Sequence, residues 1–385
     1  MGSFMERWDV IVVGSGPAGA AAAKSSAEKG AKTLLIEAKP EIKAWKPCGE
    51  GVSKETFRTA GIEPEPGIVS NELNMRVYAP NGKYVEIGQT GYAINKDLFL
   101  LELARKAVEA GSDLIVGEPV ESVYFKDGKI SGVKTVRSIY EAKVVIGADG
   151  YNSVVAKSCG INNKTELIPT YQYKMTGVKI DFHSGHIFLG NNIAPGGYAW
   201  IFPKSDRIFN VGIGVRPGSP KLYLDKFIKD HPEYFSGAKI LGAGGAAVPI
   251  GGLAKEIMAD GVILVGDAAG TVIPFTGAGI HSSISAGKVA GEIAAEASLS
   301  DQVSKESFKD FFSKYDPWIR RINDSLRAMR VFEKVTDDEF NQLADILTAE
   351  DVLNLANGIN IRKTVQKLLG HPILAVKIAH KLLTS

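Results

Sequence analysis

Cysteine is nearly missing from this sequence: Cys48 and Cys159 are the two in 385 residues. Neither belongs to a CxxC pair. A disulfide framework and a thiolate metal finger are therefore excluded, and a reducing, cytoplasmic setting is expected. Long apolar runs are missing as well. No window reaches the roughly 18 apolar residues that cross a bilayer. Charge of one sign is also lacking, because 45 Lys and Arg offset 43 Asp and Glu to leave +2. No basic field invites nucleic acid. His183 and His186 have no third ligand at metal-site spacing, so no metal is expected. Glu6 and Asp9 interrupt the start of the chain, and no secretory leader is expected there.

Glycine is plentiful, with 42 residues, and its placement is informative. Residues 9–13 are β-branched and apolar. The run Gly14-Ser15-Gly16-Pro17-Ala18-Gly19 follows them. Residues 18–29 are alanine-rich and helical, Gly30 caps their end, and 33–37 form a second apolar strand. This is a strand–helix–strand unit of the size a dinucleotide fold uses. Further on, a helix is expected over 96–110 and a hairpin over 121–134, turned at Asp127-Gly128. A buried strand over 142–148 closes with Asp149-Gly150. Residues 165–250 are rich in short strands, Gly and Pro. Residues 262–265 return as a buried strand, a small-residue helix covers 279–297, and 303–385 are helical.

The nucleotide-binding unit is thus interrupted and resumed. The expected class is α/β. A discontinuous Rossmann-like domain takes 5–71, 96–164 and 252–300, a β-rich substrate domain takes 72–95 and 165–251, and a helical C-terminal region takes 301–385.

Each glycine of the first run has a physical task. Gly14 permits the tight turn, Gly16 lets backbone approach a pyrophosphate, and Gly19 lets helix and strand pack closely. The phosphates then face free N–H groups at a helix N-terminus. Glu37 closes the next strand, where it can accept from both ribose hydroxyls. A second cluster, Gly266-Asp267 with Gly277-Ala278-Gly279, separates FAD from NAD. Asp267 can accept from a ribityl hydroxyl, and the helix start at Gly279 can meet the flavin edge, where its dipole favours an anionic reduced ring. The expected cofactor is FAD.

The run 14–19, Glu37, Gly147-Ala148-Asp149-Gly150 and Gly266-Asp267 together resemble the p-hydroxybenzoate-hydroxylase-like FAD enzymes. Pro47-Cys48-Gly49-Glu50-Gly51 and Tyr198-Ala199-Trp200-Ile201-Phe202-Pro203-Lys204, followed by Asn210-Val211-Gly212-Ile213-Gly214, narrow the resemblance to the archaeal geranylgeranyl reductases. It runs in motif order along about residues 5–300 and is weaker in the C-terminal helices. It implies saturation of isoprenoid chains in archaeal membrane lipids. It also implies roles: Ala18 and Gly19 at the FAD phosphates, Glu37 at the adenosine ribose, and Val120 at the adenine. Cys48, Gly49 and Gly51 would lie beside the flavin, with Asp267, Gly279 and Ile280 at the ribityl chain and ring. One departure is Lys96, where such proteins often carry Arg. A lysine meets a phosphate as a point charge, without a bidentate fork.

Tyr198, Trp200 and Phe202 alternate and share one strand face. Two readings stand: a core stripe, or the wall of a tunnel for a polyprenyl lipid, with Pro203 and the charges after it at the tunnel mouth. An isolated alkene accepts hydride poorly, so protonation is expected to lead and hydride from the flavin to follow. Cys48 is the candidate proton donor or flavin contact, against a small buried filler. Glu50 and His281 are weaker candidates, and for His281 a plain helix-surface position is the competing reading. Cys159 is expected to be buried packing.

The rivals are a flavin monooxygenase or halogenase of the same fold, and a non-catalytic FAD-binding redox protein. The halogenase pattern Trp-x-Trp-x-Ile-Pro differs from this chain at its first and fifth positions. Gly242-Ala243-Gly244-Gly245 lacks the strand–helix context of a second nucleotide turn. The electron donor stays open among NADPH, NADH, ferredoxin and other carriers. Residues 361–383 mix aliphatic and basic side chains. They read either as a helix lying on an anionic membrane surface or as one packed on its own domain.

Overall fold

The computed structural model describes residues 7–368. Two eight-stranded sheets organise the chain. The first is built on Arg7–Val13, which pairs in parallel with Thr33–Ile36 on one side and Ile139–Gly147 on the other. Asp113–Ile115 extends it past Thr33–Ile36, and Val262–Leu264 extends it past Ile139–Gly147. The expected hairpin is present as Val120–Lys126 and Lys129–Thr135. Asp127 and Gly128 both have positive φ, 51° and 74°. That is the geometry a two-residue turn needs to follow the strand twist.

Helices cover this sheet because its strands are apolar on both faces: Val10, Ile11, Val12, Val144, Val145 and Ile146 are fully buried. The alanine-rich helix Pro17–Glu28 lies against Ile280–Leu299, and buried Ser26 Oγ donates to the Gly291 carbonyl at 3.0 Å. Small side chains on both helices allow that close approach.

The second sheet runs in the order Lys239–Pro249, Leu167–Thr176, Ile208–Gly214, Tyr198–Pro203, Ser184–Phe188, Val69–Tyr78, Tyr84–Ile94, Gly51–Ser53. Among the described residues, its single parallel junction joins Ser184–Phe188 to Val69–Tyr78. The short strand Gly51–Ser53 matters for the site, because it hooks the Cys48 loop onto this sheet.

One helix inside the β-rich segment has no counterpart in the sequence reading. Pro220–Asp230 starts with Pro in its first turn and carries Lys221–Asp225 and Lys226–Asp230 ion pairs one turn apart. The surrounding Gly and Pro obscured that signal.

The C-terminal region is helical as expected. Capping boxes at Thr336 with Glu339 and Thr348 with Asp351 start Asp337–Ile346 and Ala349–Asn357. These helices are tied to the second sheet. Glu166 and Glu333 bracket Arg216 and Arg330, and Asn191 and Asn192 bond Asp337. Of the basic stretch 361–383, only the helix Ile361–Leu368 lies within the described residues. There Lys363 pairs with Glu350 at 2.9 Å and Lys367 with Asp351 at 2.6 Å, so these two charges turn toward their own chain.

Candidate functional site

The turn after Arg7–Val13 has the form its sequence demands. Gly14 has φ +95°, and a Cβ there would lie 2.6 Å from the Ala148 carbonyl oxygen. A Cβ on Gly19 would lie 1.8 Å from the Gly14 carbonyl oxygen. Only glycine fits at either place. A Cβ on Gly16, by contrast, would meet nothing within 4 Å. The helix Pro17–Glu28 has no side-chain cap, which leaves the first-turn N–H groups of Ala18 and Gly19 without an intrahelical partner. Open space over uncapped amides suits a pyrophosphate.

Glu37 is drawn into this turn. Its Oε2 accepts from the Ser15 amide at 2.9 Å and the Ser15 hydroxyl at 2.6 Å, and its Oε1 accepts from the Lys39 amide at 2.9 Å. A carboxylate offers about four acceptor positions, so a ribose that engages both oxygens displaces the Ser15 hydroxyl. Backbone bonds from Glu37 to Ile115 and from Glu118 to Glu37 bring the start of Val120–Lys126 alongside. Asp149 caps the next helix through Oδ2, at 2.7 and 3.1 Å from the Val154 and Val155 amides. Its buried Oδ1 has no partner. This orphaned acceptor beside Gly14 fits a cofactor hydroxyl.

The second half of the expected cofactor site converges on the first. The turn Gly266–Ala268 packs on Ala18, 3.0 Å from a Cβ at Gly266. Asp267 Oδ1 lies 4.0 Å from the Cβ position of Gly279, the uncapped N-terminus of Ile280–Leu299. Burial pushes the Asp267 carboxyl up, while Lys46 and Lys96 pull it back. Burial pulls the Lys96 ammonium down, but the fields of Cys48, Glu50 and Asp267 outweigh it and the net shift is upward. Lys96 therefore faces the Cys48 loop and Asp267 as a retained cation. Lys46 brings a second basic side chain to Asp267.

The Cys48 loop is pinned from below. Asn210 Nδ2 donates to the carbonyls of Cys48 and Gly49, both at 3.3 Å, and to Glu50 Oε2 at 3.2 Å. Glu50 has a left-handed φ of +65°, a strained conformation for a residue with a Cβ. Its carboxylate meets Lys204 Nζ at 2.6 Å, with side-chain exposures of 15% and 12%. Lys204 is thus not at a tunnel mouth, as the strand-end position suggested. It folds back and forms a buried ion pair under the loop, where burial lowers its pKa against the pull of Glu50.

Cys48 is free and half-buried, and its Sγ accepts from the Glu50 amide at 3.4 Å. Cys159 is also free. It packs against the first core, and burial pushes its thiol up to about 11.

One continuous cavity of about 520 Å³ adjoins this loop, well within the range of small-molecule sites. Residues 47–53 and 273–282 close one end. Tyr198, Trp200 and Phe202 all line it. Tyr198 and Trp200 lie edge to face at 5.9 Å, and Trp200 and Phe202 are tilted at 6.5 Å. Polar tips are satisfied, since Trp200 Nε1 donates to Gln172 Oε1 at 3.2 Å and the Tyr198 hydroxyl donates to the Thr276 carbonyl. Burial, with Cys48 adding to it, pushes the Tyr198 phenol up to about 12. Gly49 leaves room for Phe202, whose ring stands 2.9 Å from where a Cβ would be.

The opposite wall was not legible in the sequence. It comes from the C-terminal helices, through Phe340, Leu343, Ala344, Leu347 and Val352. His281 lines the cavity too. It is half-buried, bonds the Thr59 hydroxyl at 2.7 Å and stands edge-on to Trp318 at 4.7 Å, so it is not a plain surface residue. Burial and the nearby Arg321 push its imidazole down to about 4. His186 is fully buried outside this site, with its ring nitrogens at 2.8 Å from the Asp181 carbonyl and 3.1 Å from the Tyr78 hydroxyl. The run 242–245 lies within the strand Lys239–Pro249, not at a strand-to-helix turn.

Two parts of the chain match known families. Residues 9–162 match the FAD dependent oxidoreductase family, and residues 166–248 match the geranylgeranyl reductase catalytic domain. Digeranylgeranylglycerophospholipid reductase 2 of Methanopyrus kandleri is 34% identical, over 98% of this chain and 99% of that protein. The digeranylgeranylglycerophospholipid reductase of Methanosarcina acetivorans is 36% identical over 88% of each. A crystal structure of a geranylgeranyl bacteriochlorophyll reductase-like protein from Thermoplasma acidophilum superposes with a TM-score of 0.88 at 30% identity, covering 98% of this chain and 100% of that one. A flavin-dependent brominase shares the fold, with a TM-score of 0.74 at 20% identity over 92% and 94% of the two chains.

Proposed function

The chain belongs to the digeranylgeranylglycerophospholipid reductase family, and from that membership we infer that it is an FAD-dependent reductase that saturates C=C bonds of geranylgeranyl chains in archaeal membrane lipid synthesis. The observation that carries this reading is the mostly apolar cavity of about 520 Å³. It runs from the Cys48 loop and the Gly277-Ala278-Gly279 turn to the C-terminal helices, and an aromatic wall lies along it. A mostly apolar space of this size suits a branched hydrocarbon chain.

FAD fits the residues present. The open space at Gly16, the uncapped amides of Ala18 and Gly19, Glu37 and the orphaned Asp149 oxygen suit the adenosine diphosphate half. Asp267, Gly279, Ile280, Lys96 and the loop at Cys48, Gly49 and Gly51 would hold the ribityl chain and ring, with Val120 backbone at the adenine. When bound, the flavin supplies hydride. The chain's own residues must then exclude water, orient the alkene and deliver a proton. Tyr198, Trp200 and Phe202 do the first two as an apolar aromatic wall. Cys48 is the proton donor in this account, held at the cavity end by the Asn210 bonds and the Lys96 charge. Turnover that survives Cys48→Ala unchanged removes it from that role.

The test of the reading is reduction without oxygen. Dithionite-reduced protein, incubated anaerobically with a geranylgeranyl lipid, should add two hydrogens per double bond by mass spectrometry. A product that requires oxygen would favour the monooxygenase or halogenase reading. Flavin reoxidation that is independent of lipid would favour a redox protein without a substrate.

A lipid substrate also calls for contact with a bilayer surface, and the reading extends to a peripheral position on the inner face. No helix among the described residues is long and apolar enough to cross a membrane. Liposome pelleting that is lost on deletion of 360–385, in a protein that still binds FAD, supports this; unchanged pelleting contradicts it.

A further inference from the structure

The cavity is mostly apolar, and among the described residues Arg321 is a cation on its wall with no ion-pair partner. Arg321 lines it beside Trp318, His281 and Asn357. The guanidinium lies 4.1 Å over the Trp318 ring. Its Nε donates to the Asn357 carbonyl at 3.0 Å, and one Nη2 N–H donates to Asn357 Oδ1 at 3.1 Å. These contacts fix the plane of the group yet use two of its five donors. Among the described residues, no carboxylate forms an ion pair with it.

The other half-buried arginines differ. Arg76 is paired with Glu86 and Asp181, and Arg216 and Arg330 with Glu166 and Glu333. Burial pulls the Arg321 pKa down with no acid to restore it. A half-buried charge left without a counter-charge is costly, and here its free donors stand in a cavity. Leu353, one turn before Asn357, also lines the cavity and is 41% exposed.

We propose that Arg321, clamped by Asn357 and stacked on Trp318, is the subsite for a phosphate oxyanion at the head of the isoprenoid chain that fills the cavity. The planar fork of a guanidinium matches two phosphate oxygens. Neutral His281 beside it adds a ring that can donate or accept without repelling the anion. Two ligands share this chemistry, a glycerophospholipid and a prenyl diphosphate. The inference rests on the reductase reading above, but it can fail separately.

The experiment compares three lipids: digeranylgeranylglyceryl phosphate, geranylgeranyl diphosphate and the neutral geranylgeraniol. Anaerobic reduction is measured with wild-type protein, Arg321→Met and Arg321→Lys. A charge-assisted hydrogen bond of about 1.5–3 kcal/mol corresponds to about a 10- to 100-fold change. Arg321→Met should raise KM by that factor more for a phosphorylated lipid than for the alcohol, and Arg321→Lys should recover part of it. If only one phosphorylated lipid responds, that lipid is the source of the anion and the subsite stands. An equal rise for charged and neutral lipids, or none, overturns it. If wild-type protein reduces none of the three, the reductase reading fails, and quenching of Trp fluorescence by the same lipids decides the subsite. Tighter binding of the phosphorylated lipids that Arg321→Met abolishes supports it, and indifference to charge overturns it.

Discussion

The dinucleotide turn and the apolar cavity are made from opposite materials. The turn is backbone. Six successive residues supply it, and its demands are steric: no Cβ at Gly14 or Gly19, and open space at Gly16. The cavity is side chains. It gathers residues from Pro47 to Asn357 across the second sheet and the C-terminal helices. A backbone site tolerates almost no change at a few positions. A side-chain cavity tolerates many small changes, each felt as a shift in the shape it accepts.

The sharpest way to break that comparison is at the turn. Gly19→Val drives carbon into the Gly14 carbonyl. An overpacking cost of about 3 kcal/mol should weaken flavin binding about 100-fold, read as the flavin content of purified protein. Normal flavin content in this variant would mean that the turn is not the backbone cradle described.

The loop between the two regions comes next. Glu50→Gln leaves the buried Lys204 ammonium without its partner. Urea denaturation should show a loss of about 3 kcal/mol, largely regained in Glu50→Gln with Lys204→Met. No loss would mean that the pair does not hold the Cys48 loop.

On the cavity side, Ala344→Trp fills space on the helical wall. It should reduce lipid turnover about tenfold while leaving flavin content unchanged. A parallel fall in both would erase the distinction between the regions.

A pH-dependent effect is expected at His281. Its folded-state value of about 4 lies below the ordinary 6.5. Between those values the unfolded chain binds the proton and the folded one does not. Its contribution to stability is therefore complete above about pH 6.5 and falls as the pH drops toward 4. His281→Asn should flatten that part of the stability profile.

Legibility from sequence followed the same line. The turn at residues 14–19, Glu37 and the Asp127-Gly128 hairpin were readable because their causes are local. The aromatic alternation at Tyr198, Trp200 and Phe202 gave a face but not what it faces. Phe340, Leu343, Ala344 and Leu347 sit at helical spacing that looks the same for a core helix and a cavity wall. Lys204 looked like a strand-end charge, because nothing near it in sequence reveals Glu50. Arg321 was silent for a related reason: what sets it apart is a carboxylate that is not there.

The central claim is that the cavity delivers an isoprenoid alkene to the flavin end. It is tested most directly by anaerobic stopped-flow mixing of reduced protein with a geranylgeranyl lipid, in wild type and Ala344→Trp. The account predicts lipid-dependent flavin reoxidation in wild type and a much slower phase in the variant at equal flavin content. Equal rates in the two proteins, or reoxidation indifferent to the lipid, would contradict it.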